Sequence, residues 1–265
     1  MVALYFSGTG NTKYIAELFS RKMGAECLSI EEGVDFPKLI KSHDTVVFCY
    51  PIYGSRVPFI MREFVAEHTA ALKGKKLVVF ITQVSFSGDG ARVMCDLLPE
   101  GHVEVIYAEH FNMPNNICNF VLLRKASEKS IQNRLKKAEK LMDEVCRNIN
   151  AGIVKKKGFS NIAKLLGMIQ GRAWQGDSRN IAPKENTMEY RAQRSIRVDS
   201  GCTVCGVCIE ICPTKNLENS NGSITHKNNC TICYRCVNRC PQRAITIFFH
   251  AKPKWQYEGL NGDKT

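Results

Sequence analysis

Eight of the thirteen cysteines lie between Cys202 and Cys240, and their spacing is that of a metal site. They form two copies of the pattern C-x2-C-x2-C-x3-C-P, which superpose at a constant offset, with Cys202 on Cys230 and Pro213 on Pro241. Thiolate sulfur is the ligand of iron–sulfur clusters, and it also binds zinc. Clustering of this kind is typical of metal binding, and the odd number of cysteines argues against complete disulfide pairing.

The spacing favours a pair of four-iron clusters over zinc. Zinc ribbons contain paired C-x2-C units, but they need no third and fourth cysteine in each copy and no proline after them. In the bacterial four-iron run, the fourth cysteine of each copy ligates the cluster of the other copy. Because four thiolates would occupy every cluster, no iron is left open to a substrate, and the predicted chemistry is electron transfer. The predicted ligands are Cys202, Cys205, Cys208 and Cys240 for one cluster, and Cys212, Cys230, Cys233 and Cys236 for the other.

By these motifs, residues 195–249 resemble a bacterial two-cluster ferredoxin. The resemblance implies a small α+β domain with two 4Fe-4S clusters, which we place at residues 195–250. Asn221 and Gly222 lie between the two copies and predict a two-residue hairpin turn.

A second candidate site is the stretch Ser-Gly-Thr-Gly-Asn-Thr at residues 7–12, between an apolar run and a segment with helical spacing. This order is typical of a phosphate-binding loop. An ATP-binding loop would need Ser or Thr after its lysine, and Lys13 is followed by neither. A dinucleotide-binding loop would need glycine where Lys13 stands, although Glu31 or Glu32 could meet a ribose, so this alternative stays open.

A terminal phosphate monoester such as that of FMN suits the loop better. Three hydroxyl side chains can donate hydrogen bonds, two glycines let the backbone amides turn inward, and the following helix adds its free N–H groups. The stretch also resembles the flavodoxin pattern [ST]-x-T-G-x-T and matches it at every position. The residues that would bind the phosphate are Ser7, Gly8, Thr9, Gly10, Asn11 and Thr12.

The flavodoxin resemblance implies that two further loops contact FMN, because doubly wound sheets bind ligands beyond the carboxyl ends of their strands. After the third strand, Tyr53 is placed to stack on the flavin ring, and after the fourth, Phe86 is placed to cover its other side. Residues 112–117 are expected to border the same pocket. The predicted contacts in the two loops are Pro51, Ile52, Tyr53 and Gly54, and Phe86, Ser87, Gly88, Asp89 and Gly90.

The elements that must position these residues alternate between strand and helix patterns. Strands are predicted at residues 2–6, 26–30, 45–50, 76–84 and 103–111, and helices at 11–23, 36–41, 58–68, 91–98 and 127–150. The predicted fold is therefore α/β, a flavodoxin-like doubly wound five-stranded parallel sheet at residues 1–150, followed by the small α+β ferredoxin domain. Residues 151–194 are predicted to be a basic, partly helical connection, and residues 251–265 a tail.

The formal charge of +12 is high, but no nucleic-acid-binding motif accompanies it, so we expect no nucleic-acid partner. The basic residues, many of them between residues 124 and 157, form either a solvated face or a docking surface for an acidic redox partner or an anionic substrate. No leader pattern begins the sequence, and no apolar run is long enough to span a bilayer. Together with the thirteen cysteines, this leads us to expect a cytoplasmic protein.

The order of the two motifs resembles the fused flavodoxin–ferredoxin family of bacterial electron carriers. The resemblance implies a protein that passes electrons between two 4Fe-4S clusters and FMN. An alternative is an FMN-dependent reductase of a quinone, a nitro compound or an activated double bond, fed by its own ferredoxin domain. A redox-sensing module is a third possibility, and no DNA-binding motif supports it.

Overall fold

The computed structural model describes residues 1–120 and 122–260. Within them, the amino-terminal half is built on a parallel sheet of six strands in the order β2-β1-β3-β4-β5-β6. The strands are β1 (Val2–Tyr5), β2 (Glu26–Ser29), β3 (Thr45–Pro51), β4 (Lys76–Gln83), β5 (Glu104–Asn112) and β6 (Lys155–Lys156). The central strands β3 and β4 are almost continuously apolar because helices cover both of their faces.

The sheet has one strand more than the sequence predicted. The additional strand, β6, pairs in parallel with β5 and lies in the segment that we expected to be a connection. It consists of two exposed lysines, which carry no alternating apolar pattern. The strand forms because the edge of β5 offers unpaired backbone groups, and such an edge is not visible in a sequence.

Helices α1 (Asn11–Met23) and α5 (Glu128–Asn150) cover one face of the sheet, where Phe19, Phe80 and Met142 share a core. Helices α2 (Phe36–Lys41), α3 (Phe59–Glu67) and α4 (Thr69–Leu72) cover the other face around Phe48. The predicted helix at 91–98 is a 3₁₀ helix at Arg92–Leu97. No helix in the described part of the chain combines the length and the apolar character that crossing a membrane requires.

The connecting segment contains α6 (Asn161–Trp174) and α7 (Met188–Gln193). A buried ion pair ties α7 to the sheet domain: Arg62 of α3 is 0 % exposed, Glu189 of α7 is 1 % exposed, and the guanidinium donates to both carboxylate oxygens at 3.1 Å. Arg62 also donates to the carbonyl of Ile181 at 2.7 Å. Burial lowers the pKa of Arg62 and raises that of Glu189, and their mutual attraction opposes both shifts.

The cysteine-rich part of the chain is small and has an internal structural repeat. β7 (Arg197–Val198) pairs with β10 (Ile245–Thr246), α8 (Val207–Glu210) corresponds to α9 (Arg235–Arg239), and β8 (Leu217–Ser220) forms a hairpin with β9 (Ser223–His226). The hairpin turn is the predicted pair Asn221 and Gly222, both with positive φ, as a type I′ turn requires.

The predicted tail folds back onto both halves. Tyr257 and Leu260 are buried in the core beside α1, and Gln256 donates to the carbonyls of Val237 and Cys240. The rest of that tail, residues 261–265, lies outside the described residues.

We predict that Glu189→Gln lowers the free energy of unfolding by about 3–5 kcal/mol, because it leaves the Arg62 guanidinium buried without a carboxylate. Replacing both residues by methionine should recover most of the loss, since no charge then stays buried. Chemical denaturation measures both effects. The control is Glu218→Gln, which breaks a half-exposed pair with Lys227 and should cost less than about 1 kcal/mol. An E189Q protein as stable as wild type would contradict the prediction.

Candidate functional site

Hydrogen bonds within the loop and to Thr82 and Asn116 fix residues 7–12. Gly10, the residue before α1, has φ 93°, which favours glycine, and its N–H donates to Ser7 Oγ at 3.1 Å. The hydroxyls of Thr12 and Thr82 lie 2.7 Å apart, and Asn116 Nδ2 donates to Thr9 Oγ1 at 2.9 Å. The loop therefore places several donors at the amino-terminal end of a long helix, where an anion is stabilised.

A narrow cavity of about 80 Å³ opens on this loop. Its walls come from the segments that follow β1, β3, β4 and β5, which is the carboxyl edge of the sheet. The structure brings together five of the six predicted phosphate-loop residues and three of the four residues predicted in the loop after the third strand. The lining residues are Ser7, Gly8, Thr9, Asn11, Thr12, Pro51, Ile52, Tyr53, Thr82, Gln83, Val84, Met113, Pro114, Asn116 and Ile117.

The remaining predicted flavin contacts do not line this cavity. Helix α6 lies against two of the glycines among them: a Cβ on Gly54 would be 2.5 Å from Cβ of Trp174, and one on Gly88 would overlap the α6 backbone at Gly167. Gly90 packs on a neighbouring side chain and the loop itself, and Phe86 is 56 % exposed.

A network of charges holds α6 in this position. Asp89 is buried, pairs with Arg92 at 2.7 Å and lies 3.7 Å from Arg56. Arg56 donates to the carbonyl of Gly167, and its guanidinium occupies the space that a side chain at Gly171 would need. Small residues on α6 are therefore required for this packing.

The donors of the loop fit a terminal phosphate. The hydroxyl of Tyr53, which lines the same cavity, is buried and has no hydrogen-bond partner. Burial, and next the neighbouring Cys233, raise the pKa of Tyr53 well above its usual range. The cavity is smaller than the roughly 300–1,000 Å³ of typical small-molecule sites. Binding of a whole flavin therefore requires the residues that line the cavity to move apart.

The eight clustered cysteines line two separate small cavities. We call the set Cys202, Cys205, Cys208 and Cys240 the first cysteine site, and the set Cys212, Cys230, Cys233 and Cys236 the second cysteine site. Each site takes three cysteines from one copy of the repeat and the fourth from the other copy. All thirteen cysteines of the chain are free of disulfides. Among the described residues, no three His, Cys, Asp or Glu side chains are arranged to hold a single metal ion.

Backbone amides point at the sulfur atoms in the same way in both copies. Val204 N–H donates to Cys202 Sγ at 3.4 Å, and Ile232 N–H donates to Cys230 Sγ at 3.2 Å. Val204 and Ile232 both have positive φ, 53° and 59°, which is costly for a β-branched residue.

The fourth cysteines receive amides too. The N–H of Asn216 donates to Cys212 Sγ and that of Ala244 to Cys240 Sγ, each just after a residue with positive φ. Hydrogen bonds to sulfur stabilise its anionic form. The strained backbone therefore directs amide donors at the sulfur atoms. The eight cysteines, with these hydrogen bonds, fit the ligands of two four-iron clusters.

The two cysteine sites differ in burial. Cys205 of the first site is exposed, whereas three cysteines of the second site are buried. Burial raises the pKa of the Cys233 thiol to about 11 and that of Cys236 well above its usual range. A bound cluster would supply positive charge that favours the deprotonated sulfur at these buried positions.

The second cysteine site touches the phosphate loop. A Cβ on Gly8 would be 2.5 Å from the carbonyl oxygen of Cys233, so only glycine permits this approach. Arg235 donates to the carbonyls of Ser7 at 2.7 Å and Gly8 at 3.1 Å, and both its terminal nitrogens pair with Glu31 at 2.5 and 2.7 Å. Although burial works against its charge, the hydrogen bond to Glu31 leaves the pKa of Arg235 raised.

The sequence predictions did not include Arg235. A signal was present, because the two copies of the repeat differ at this point: Tyr234 and Arg235 stand where the first copy has Gly206 and Val207. A departure from an internal repeat identifies a residue that one copy alone needs. Asn116 lies in residues 112–117, which were expected to border the pocket and of which four line the cavity, whereas Thr82 carries no such signal.

Known structures of similar shape include several flavodoxins. Two-electron reduced flavodoxin from Megasphaera elsdenii is 21 % identical over 53 % of this chain and 99 % of its own, with a TM-score of 0.37. Flavodoxin from Streptococcus pneumonia TIGR4 is 22 % identical over 54 % and 97 %, with a TM-score of 0.32. The Trp repressor binding protein of Bacillus subtilis is 14 % identical over 53 % and 97 %, with a TM-score of 0.37.

No curated protein matches the chain. The flavodoxin domain family does match, over residues 2–142, which is more than half of the 265 residues. This chain therefore belongs to the flavodoxin family.

Proposed function

We propose that this protein transfers electrons between two 4Fe-4S clusters and FMN carried on one chain. Membership of the flavodoxin family supports FMN binding. The observation that carries the rest of the proposal is the contact between the second cysteine site and the phosphate loop, at Gly8 and Cys233. When bound, FMN supplies one- and two-electron chemistry and the clusters supply one-electron transfer.

The difference in burial between the two cysteine sites supports an order in which electrons pass through them. The first site includes an exposed cysteine and faces a redox partner, which the basic surface suggests is an acidic protein. The second site has three buried cysteines and contacts the phosphate loop at Gly8. Free thiols throughout the chain suit the reducing cytoplasm, where we place the protein.

The FMN phosphate is assigned to residues 7–12, with Thr9 and Thr12 as hydroxyl partners and the amides of the turn as further donors. Tyr53 is assigned to the flavin ring because its aromatic side chain borders both the cavity and Cys233. Gly54, Gly88 and Asp89, which α6 contacts, join the flavin site only when α6 moves away from them.

A second candidate function is an FMN-dependent reductase of a quinone, a nitro compound or an activated double bond. A cleft of about 650 Å³ next to the flavin cavity favours it, because the two share Val84. Turnover by the chemically reduced protein with a panel of such acceptors distinguishes the two functions. Inactivity towards all of them would leave electron transfer alone.

We predict that anaerobically prepared protein holds FMN and about eight irons with matching sulfide, and that the ligand sets are crossed. Cys240→Ser should then abolish the same electron paramagnetic resonance signal as Cys202→Ser, and Cys212→Ser the same signal as Cys230→Ser. Cys27→Ser, which replaces a free thiol of β2, is the control and should retain all the iron. Two zinc ions without sulfide would overturn the cluster assignment, and a C240S spectrum like that of C236S would overturn the crossing.

Thr9→Val should weaken FMN binding by about tenfold to a hundredfold, as expected for one lost hydrogen bond to a charged group. Titration of apoprotein into FMN, followed by flavin fluorescence, measures the change. Riboflavin lacks the phosphate, so its affinity should be the same for both proteins. Thr225→Val on the exposed strand β9 is the matched control. Equal losses for riboflavin and FMN would show that residue 9 does not bind the phosphate.

Arg235→Gln should lower the free energy of unfolding by about 1–3 kcal/mol, because it breaks the ion pair with Glu31. It should also slow flavin reduction by pre-reduced clusters, since the phosphate loop then loses its attachment to the second cysteine site. Stability is measured by denaturation and the reduction rate by stopped-flow absorbance. Arg21→Gln, on the exposed side of α1, should change neither. An unaltered reduction rate in R235Q would show that this contact does not couple the two sites.

A further inference from the structure

The cleft next to the flavin cavity is surrounded by basic and neutral polar side chains. It lies between the first turns of α5, the carboxyl ends of β4 and β5, and the segment after β6. The residues that line it include no aspartate or glutamate. They include His110, Lys129, Arg134, Lys137 and Lys157, and Val84 on the side of the flavin cavity.

The positive charge of this cleft is only partly neutralised. Lys157 pairs with the buried carboxylate of Glu109 at 2.7 Å, and Glu109 also meets Lys155 at 3.4 Å. Lys129 and Lys137 are exposed on one face of α5, and neither forms an ion pair in the described part of the chain. Arg134 is fixed in the wall by hydrogen bonds to the carbonyls of Val84 at 2.7 Å and Met113 at 3.3 Å.

A buried polar group also belongs to the cleft. His110 is 5 % exposed, and its Nε2 has no hydrogen-bond partner. Burial, and next the charge of Lys157, lower the pKa of His110 to about 4, so its ring is neutral at pH 7. Its Nε2 lies against Gly158, next to Lys157 in the wall of the cleft.

The amino terminus of α5 adds donors of another kind. The Ser127 side chain accepts only the N–H of Ser130, at 3.3 Å, which leaves other amides of the first turn without an intrahelical partner. The positive end of this 23-residue helix therefore faces the same space as the lysines.

We propose that this cleft binds a small organic anion carrying a phosphate group or several carboxylates. A concave site with a buried histidine at its wall suits a small molecule better than the surface of an acidic protein. Arg134 and Val84 form the wall that the cleft shares with the flavin cavity, so the ligand would lie next to that cavity. Binding itself does not depend on the proposed FMN and cluster chemistry.

Calorimetric titration of the full chain with inorganic pyrophosphate tests the proposal, with saturating FMN present so that the phosphate loop is not the site measured. Lys129→Gln/Lys137→Gln should weaken binding about tenfold or more, since charge-assisted hydrogen bonds are lost. Lys136→Gln/Lys140→Gln is the matched control, because it removes the same charge from the same helix at residues outside the cleft. Equal weakening in both variants would mean diffuse attraction and would overturn the proposal.

Further measurements separate the possible outcomes. The ring signals of His110 in a nuclear magnetic resonance titration should shift with pyrophosphate, and unchanged signals would place the ligand elsewhere. Citrate in place of pyrophosphate distinguishes a polycarboxylate ligand from a phosphate ligand. Thr9→Val should leave the pyrophosphate affinity unchanged, so failure of FMN binding and failure of this site are distinguishable. Tight binding of polyglutamate with no response to pyrophosphate would assign the surface to an acidic protein and overturn the proposal.

Discussion

The close contact of Gly8 with the carbonyl of Cys233 is the constraint on which the arrangement of the two halves depends. Because of this packing, residue 8 must be glycine whether or not the loop binds a phosphate. Arg235 then secures the contact by donating to two loop carbonyls while pairing with Glu31. Because one guanidinium makes all of these bonds, the phosphate loop, the turn after β2 and the second cysteine site keep a defined relation.

In the cysteine-rich part of the chain, strained backbone conformations direct amide N–H groups at sulfur atoms. Val204 and Ile232 adopt a backbone conformation that β-branched residues avoid, and the same conformation recurs at Lys215 and Arg243, three residues after the fourth cysteines. An ordinary turn would not require four such residues at equivalent positions. Their repetition shows that the approximate two-fold relation of the sequence extends to the individual hydrogen bonds.

The connecting segment, residues 151–194, packs against the sheet domain through α6 and α7. Through α6 it covers the loops after β3 and β4, and through the Arg62–Glu189 pair it is fixed to α3. Gly54 and Gly88, which the flavodoxin resemblance assigned to the flavin, therefore pack against α6 in this chain. The outer side of α6 leaves Ile162, Leu165 and Ile169 exposed, so the helix is held by its glycine face and not by an apolar core.

Much of the architecture was predictable from the sequence. Strands with continuous apolar runs and helices with regular spacing, such as α1 and α5, were predicted to within a residue or two at their ends, because burial imposes their patterns directly. The grouping of the cysteines and the turn at Asn221 and Gly222 were also visible, since spacing within a short segment limits what those residues can do.

The tertiary structure decided the features that depend on residues far apart in the chain. β6 has no apolar pattern and forms only against the edge of β5, and the short helix at Arg92–Leu97 is too brief for its helix type to be fixed by sequence spacing. Arg235 meets the phosphate loop, Asn116 meets Thr9, and the basic residues of α5 meet His110 because the fold closes long loops around them. Local sequence determines which conformations a segment prefers, whereas packing between distant segments determines which backbone and side-chain groups come together.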